Sequence, residues 1–227
     1  MAMNEQTPFG AAIEFAENPE NRCPCVLVLD VSSSMSGAPI RELQQGLKQY
    51  ADELLSDSIA RKRVEVAIIT FGDSVRTESP FSTADSLLVP QLHPNGVTPM
   101  AGALLEAVRM VEERKAEYRS HGVQFYRPWI ILITDGAPTD GDSLWATAVA
   151  ELTRVTDQKG CTLFVVGVSG ADFQKLGELP AMNGPQKLDG TRFKDMFLWL
   201  SQSQKAVSRS SPGDQIALPA PQWIVTS

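Results

Sequence analysis

Short apolar runs recur along the chain, and each ends abruptly at polar residues or glycine. The first, at residues 26–29, stops at Asp30, and the clearest, at residues 129–133, stops at Thr134 and Asp135. Apolar runs of this length, bounded by turn residues, are typical of strands buried on both faces of a parallel sheet. The pattern predicts buried strands over residues 26–30, 64–71, 129–134 and 162–168.

Between these strands, apolar residues recur at intervals of three and four, the spacing of an amphipathic helix. Ile40, Leu43 and Leu47 begin the first such series. Pro39 and Pro99 each stand where the first turn of a helix accepts proline. The predicted helices cover residues 39–58, 99–118, 142–159, 172–179 and 192–207.

The alternation of strands and helices predicts the fold class. Strands separated by helices imply right-handed crossovers, and hence an α/β fold. We expect a three-layer, doubly wound, Rossmann-like architecture with a mainly parallel central sheet and helices on both faces. The turn signal at Gly72 and Asp73 predicts that residues 75–81 fold back as one antiparallel edge strand, and residues 186–188 fit a last edge strand.

One domain accounts for most of the chain. We expect it to span residues 1–207 and to begin with an irregular lead-in, with no strand before residue 22. Residues 208–227 mix serine, glycine and proline with a few large apolar side chains, including Trp223, so an extended tail is predicted. Those apolar residues indicate that the tail docks either on its own domain or on a partner.

Composition narrows the partners. The 20 basic and 27 acidic residues give a net charge of −7, which disfavours a nucleic-acid backbone as ligand. The chain has no apolar run of the ~20 residues that a membrane span needs, and we expect no membrane partner. Residues 1–22 are polar and lack the apolar centre of a secretory signal, so the expected location is the cytoplasm.

The three cysteines, Cys23, Cys25 and Cys161, fit small core residues kept reduced. Cys23 and Cys25 could form half of a soft-metal site. Besides Cys161, however, only His93 and His121 are available as further soft ligands, and we expect neither histidine to be catalytic.

Candidate chemistry begins where the first strand ends. Asp30, Ser32 and Ser34 alternate, so their oxygens can point to one side if the chain stays extended. In open parallel sheets, ligands bind at the carboxyl ends of the strands, and Asp135 follows another buried strand at the same edge. Oxygen donors converging there suit a hard cation such as Mg2+. Other aspartates, such as Asp140, fit solvated turns better than ligand positions.

Together with the loop at residues 96–100 and the Thr134-Asp135-Gly136 element, these residues resemble the metal-ion-dependent adhesion site (MIDAS) of von Willebrand factor A (VWA) domains. The resemblance implies a VWA fold and a Mg2+ site, with Mn2+ or Ca2+ as alternatives. It also implies the ligand set. Ser32, Ser34 and Thr98 would supply hydroxyls, and Asp30 and Asp135 would supply carboxylates, often through water.

Within the family, the chain is most similar to the bacterial tellurite-resistance proteins of the TerY type. The similarity lies in residues 15–20, residues 22–25, residues 168–173 and the tail segment 218–221. It implies a role in tellurite or stress resistance, with a phosphatase or kinase of the same system as partner.

The predicted function is therefore Mg2+-dependent protein binding. An open coordination position on the metal would attract an Asp or Glu carboxylate of a partner protein. Two alternatives stay open: a Mg2+-dependent hydrolase or phosphatase that uses a metal-bound water, and a scaffold with a structural metal. The hydrolase lacks an evident general base near the site, so we expect no enzyme activity.

Overall fold

The computed structural model describes residues 14–225, and a six-stranded sheet forms its centre. The strand order is β3-β2-β1-β4-β5-β6, with β1 in the middle. All neighbouring strands are parallel except β3, which runs antiparallel to β2 at one edge. The strands are β1 (Cys23–Asp30), β2 (Val64–Phe71), β3 (Val75–Thr83), β4 (Trp129–Thr134), β5 (Thr162–Gly167) and β6 (Gln186–Lys187).

Helices cover both faces of this sheet, which confirms the predicted fold class. A single 3-10 turn, Ser33–Met35, follows β1. The α-helices are α1 (Ala38–Ser56), α2 (Ala60–Arg63), α3 (Met100–Ser120), α4 (Asp142–Asp157), α5 (Phe173–Leu176) and α6 (Phe193–Ser208). Among residues 14–225, no helix combines the length and the apolar character needed to cross a bilayer.

Alternate residues of β1 face opposite cores. Leu27 and Leu29 contribute to the core that includes α1 and α6, whereas Val26 and Val28 contribute to the core under α3 and α4. A strand alternates its side chains between the two faces of a sheet, so β1 is apolar on both sides. This double burial leaves the carboxyl end of β1 as the place where polar chemistry can begin.

Several predicted boundaries shift by a few residues. The α4 helix ends at Asp157, because Lys159 adopts a left-handed backbone with φ 56° and the Gly160 N–H bonds to the Val155 carbonyl. The α5 helix has four residues instead of the eight predicted, and Pro180 follows soon after it. In the described part of the lead-in, residues 14–21 contain a helical turn at residues 14–17 and no strand, and residues 1–13 lie outside the described part.

The amino ends of β1 and β2 carry a buried charge cluster, which we call the amino-edge cluster: Arg22, Glu65, Arg114 and Tyr118. The Glu65 carboxylate is fully buried and accepts from Arg22 Nε at 2.6 Å and Arg114 Nε at 2.9 Å. The Tyr118 hydroxyl also donates to it. Burial and the Glu65 charge hold the pKa of Tyr118 well above its usual range. Every charge in this cluster is matched within the chain.

The three cysteines are free, buried thiols in the core, as the sequence predicts. Burial raises the pKa of Cys23 to about 12 and that of Cys161 to about 11. These thiols are therefore protonated at neutral pH, and they behave as small apolar groups.

The tail packs on its own domain through Trp223, which is buried. Trp199 Nε1 on α6 donates to the Pro219 carbonyl at 2.7 Å. Further along, Ile224 forms an antiparallel bridge with Leu188, just after β6. The tail therefore adds to the sheet edge next to β6.

Candidate metal centre

Asp30 is the last residue of β1, and its side chain is completely buried. Its Oδ1 accepts the Ser32 N–H at 2.8 Å, and its Oδ2 accepts the Thr134 hydroxyl at 2.5 Å. One bond comes from the turn that follows Asp30, and the other from the end of the neighbouring strand β4. The two bonds fix the carboxylate between two loops at the carboxyl edge of the sheet.

Ser32 and Ser34 continue from Asp30 towards the second carboxylate. Their hydroxyl oxygens lie 2.9 Å apart, and Ser34 Oγ donates to Asp135 Oδ1 at 2.7 Å. The Ser33–Met35 turn brings both side chains to the same side. Ser32 is buried and Ser34 is exposed, so the group of oxygens opens to solvent at Ser34.

Thr98 lies beside the Asp135 loop, just before α3. A methyl group placed on Gly136 would lie 3.2 Å from Thr98 Oγ1, so the absence of a side chain at Gly136 gives the hydroxyl its room. Thr98 is only 6% exposed, whereas the preceding Val97 is 58% exposed. The structure thus brings together all five predicted site residues, and their role as metal ligands stays a prediction.

Two residues that sequence reasoning did not select hold the Thr98 loop in place. The Thr98 N–H donates to Thr139 Oγ1 at 3.1 Å, and the Thr139 N–H donates to the Thr98 carbonyl at 2.9 Å. Asp140 then accepts from Ala101 N at 2.8 Å and Gly102 N at 3.3 Å at the start of α3. The Thr98 and Asp135 loops are therefore joined into one unit.

Asp140 is thus a helix cap rather than only a solvated turn residue. No local pattern could reveal this, because Asp140 and the Gly102 N–H that it accepts are separated by 38 residues.

A fourth loop, after β5, packs behind Asp135. Gly170 has φ +107°, and a Cβ atom there would lie 2.9 Å from the Asp135 carbonyl oxygen. The Asp172 N–H approaches the Gly136 carbonyl at 3.4 Å. Gly170 is therefore needed both for its backbone conformation and for the close approach to Asp135.

The electrostatics of the two site carboxylates differ from those of the amino-edge cluster. Burial raises the pKa of Asp30, against the hydrogen bonds from Ser32 and Thr134, and burial also raises the pKa of Asp135. Neither carboxylate forms an ion pair with a lysine, arginine or histidine of residues 14–225. Buried negative charge without a positive partner is costly, so an added cation would be favoured here.

The available donors fit a hard divalent cation. Three hydroxyls and two carboxylates present only oxygen, the ligand type that Mg2+ and Ca2+ prefer. Within the described residues, no cluster of three or more His, Cys, Asp or Glu side chains could hold a metal ion. The residues at this edge therefore offer donors of the type that the predicted Mg2+ site requires, and three of the five donors are hydroxyls.

Comparison with known families identifies the family of this chain. The sequence model described as the von Willebrand factor type A domain matches residues 25–196, a span that includes all five site residues. The chain belongs to the von Willebrand factor A family. The central sheet with its antiparallel β3 edge and surrounding helices is the VWA fold of this family.

Several known proteins resemble this VWA chain. Mouse inter-alpha-trypsin inhibitor heavy chain H2 is 26% identical over 166 residues, which cover 66% of this chain and 16% of the mouse protein. The open conformation of the pilus adhesin SpaC from Lactobacillus rhamnosus GG has 15% identity and a TM-score of 0.65, over 82% of this chain and 30% of SpaC. Manganese-loaded TRAP from Plasmodium vivax has 20% identity and a TM-score of 0.52, over 78% of this chain and 74% of TRAP.

At these identities, the structural likeness shows the fold alone. The VWA chain spans only a small part of the mouse relative and of SpaC.

The two histidines lie outside the hydrogen-bonded group of site oxygens. His93 is exposed in the loop before Thr98, and His121 lies at the far end of α3, where its Nδ1 is 2.9 Å from the Glu117 carbonyl. Neither one hydrogen-bonds to any of the five site residues.

Proposed function

We propose that this VWA domain is a Mg2+-dependent protein-binding module that recognises an Asp or Glu side chain of a partner protein. The observation that carries the proposal is the convergence of five oxygen-bearing side chains from three loops, with two carboxylates that no basic residue of the described chain neutralises. A bound cation would supply the positive charge that balances these two carboxylates.

The residues of the chain would have different roles in such a site. Asp30 is held by Ser32 N–H and Thr134 and serves as the buried anchor, while Ser34 lies at the solvent side. Bound Mg2+ would supply an open coordination position for an anionic oxygen. Thr98 and Asp135, joined through the 135–140 loop, would adjust to the incoming carboxylate as one body.

The comparisons support a binding role. SpaC is a pilus adhesin, and TRAP was crystallised with manganese, so both adhesion and divalent-metal binding occur in proteins of this fold. The general base that a hydrolase would need is not evident among the residues bonded to the site. These observations favour a binding module over an enzyme.

The biological setting follows from the TerY-type resemblance. We propose a cytoplasmic protein of a bacterial tellurite or stress-resistance system, with a phosphatase or kinase of that system as its partner. The tail segment at residues 218–221 and the segment at residues 168–173 support this assignment.

Calorimetric titration tests the metal site. We expect Mg2+ to bind the wild type, with Mn2+ and Ca2+ as comparison ions, and not to bind Asp30→Asn. The matched control is Asp73→Asn, because Asp73 lies at the same edge of the sheet but pairs with Arg76 at 3.1 Å. Unchanged Mg2+ binding by Asp30→Asn would refute the ligand assignment.

A pull-down from a bacterial lysate, with and without chelator, tests the binding role. Partners retained only with Mg2+ should be lost with Thr98→Ala and with Asp135→Ala. If instead the protein turns over a phosphate ester and Asp30→Asn abolishes this activity, the hydrolase alternative replaces the proposal.

A further inference from the structure

A cavity of about 330 Å3 lies between β5, the α6 helix and the tail. We call it the strap pocket, because residues 216–221 of the tail form its outer wall. None of the five metal-site residues lines it. Its outer wall also lies beyond the family match at residues 25–196.

The strap is attached on both sides of the pocket, and it spans the space without filling it. On one side, the Pro219 carbonyl accepts Trp199 Nε1 at 2.7 Å. On the other, the Trp223 carbonyl accepts the Asp189 N–H at 2.9 Å, and the Val225 N–H bonds to the Lys187 carbonyl at 3.0 Å. Because these bonds fix the strap, it has little freedom to collapse inwards.

An aromatic row keeps the pocket open from the inside. Trp199 packs edge-on against Phe164 at 5.8 Å and against Trp223 at 5.7 Å between ring centroids. Phe164 in turn contacts Trp129 at 5.1 Å. Protein interiors rarely leave voids larger than a water molecule, whereas ligand pockets occupy about 300 to 1,000 Å3. The strap pocket has the size of a ligand site.

The lining selects the chemistry of the ligand. It contains no charged side chain, and its polar side-chain groups are the amides of Asn183 and Gln186 and the indole N–H groups of Trp199 and Trp223. A charged ligand would lose its hydration there without gaining an ionic partner. We infer that the strap pocket binds a neutral small molecule with an aromatic or hydrocarbon body. This inference is independent of the proposed metal-dependent function.

Met182 is a suitable position for a test substitution, because it lines the pocket and its side chain is 44% exposed. A larger side chain there narrows the pocket without disturbing the core, so Met182→Trp should fold. The matched control is Leu88→Trp, since Leu88 is 80% exposed and does not line the pocket. Circular dichroism and thermal unfolding verify that both variants are folded.

The probes are 2-naphthol, which is neutral, and 2-naphthoate, which has the same rings and a negative charge. We expect calorimetry on the full chain to show one 2-naphthol bound per chain, at least about tenfold more tightly than 2-naphthoate. Met182→Trp should weaken 2-naphthol binding by about tenfold or more, and Leu88→Trp should not.

Three results would overturn the inference. Equal affinity for the two probes would show that charge is not selected. Unchanged 2-naphthol binding by Met182→Trp would place the ligand elsewhere. Absence of binding by either probe would mean that the pocket is not a small-molecule site, as expected if a side chain of a partner protein fills it.

Discussion

Two buried carboxylates, one at the amino edge and one at the carboxyl edge of the sheet, have opposite electrostatic environments. At the amino edge, Glu65 accepts from the guanidinium groups of Arg22 and Arg114. At the carboxyl edge, the only donors to Asp30 among residues 14–225 are a backbone N–H and the Thr134 hydroxyl. Both side chains are completely buried. They differ only in whether the chain provides the positive charge.

The two edges differ in how a buried charge is compensated. Burying an ion is unfavourable unless an opposite charge or a metal compensates it. The amino-edge cluster is complete, so it holds the lead-in and α3 to the sheet whatever else is bound. Under the proposed function, a cation from outside would complete the carboxyl edge, and the stability of the protein should then respond to metal.

The largest expected effect is the loss of the Glu65 charge. Glu65→Ala leaves Arg22 buried without a carboxylate partner and Arg114 with only Glu14 and Glu117, and it should lower the free energy of unfolding by about 3–5 kcal/mol. Asp30→Asn, measured with chelator present, should leave it unchanged or raise it, because an uncompensated buried charge is removed. Urea denaturation measures both. Comparable destabilisation by the two variants would show that the edges do not differ.

Mg2+ should stabilise the folded protein through the carboxyl edge of the sheet and not through the amino edge. At a Mg2+ concentration about one hundred times Kd, the free energy of unfolding should rise by about 2.7 kcal/mol, since Mg2+ binds the folded state. Asp135→Asn should lose this increase. Glu65→Gln, although less stable than the wild type, should keep it. Thermal unfolding with and without chelator gives the comparison, and an equal Mg2+ effect on Asp135→Asn would contradict the assignment.

A substitution in the loop behind Asp135 should have a smaller effect on stability. Gly170→Ala introduces a Cβ atom 2.9 Å from the Asp135 carbonyl at φ +107°, at an expected cost of about 1–2 kcal/mol. Because the strain falls on the Asp135 loop, Mg2+ affinity should fall as well. The control is Gly213→Ala, because Gly213 has a similar φ of +100° but nothing lies within 4 Å of the added Cβ atom. This variant measures the cost of the backbone conformation alone. If both variants lower Mg2+ affinity equally, contact with the Asp135 loop is not the cause.

The smallest expected effect concerns Asp140. Asp140→Ala removes the acceptor for Ala101 N–H and Gly102 N–H and should cost about 1 kcal/mol of stability. We also expect weaker Mg2+ binding, because the start of α3 positions Thr98. Asp142→Ala, in the first turn of α4, is the control and should leave the affinity for Mg2+ unchanged in calorimetry.

The sequence was most informative where local patterns decide the structure. The bounds predicted for β2 and β4 coincide with those observed, because continuous apolar runs ended at clear turn signals. The oxygens of Ser32 and Ser34 do lie together, but the extended chain that their spacing assumed is wrong at Ser33–Met35, where a 3-10 turn brings the two hydroxyls to 2.9 Å.

Contacts between distant segments could not be predicted in this way. Glu65 reads as a polar residue at the start of a strand, and its partners lie 43 and 49 residues away. Asp140 reads as an ordinary turn residue for the same reason. The strap pocket depends on how the tail crosses α6, which no periodic pattern encodes.

The two lateral borders of the sheet have a consequence for how this molecule meets others. On one border, β3 carries Pro80 and charged residues and pairs irregularly with β2, features that discourage a foreign strand from adding. On the other, the short β6 is followed by the bridge from Leu188 to Ile224. An edge strand with unpaired backbone groups can pair with a strand of another chain and so cause aggregation or strand exchange. Here, both lateral borders of the sheet carry features that oppose such pairing. Addition of a strand from another chain is therefore disfavoured at both lateral borders, and the loops at the carboxyl ends of the strands stay the proposed surface for a protein partner.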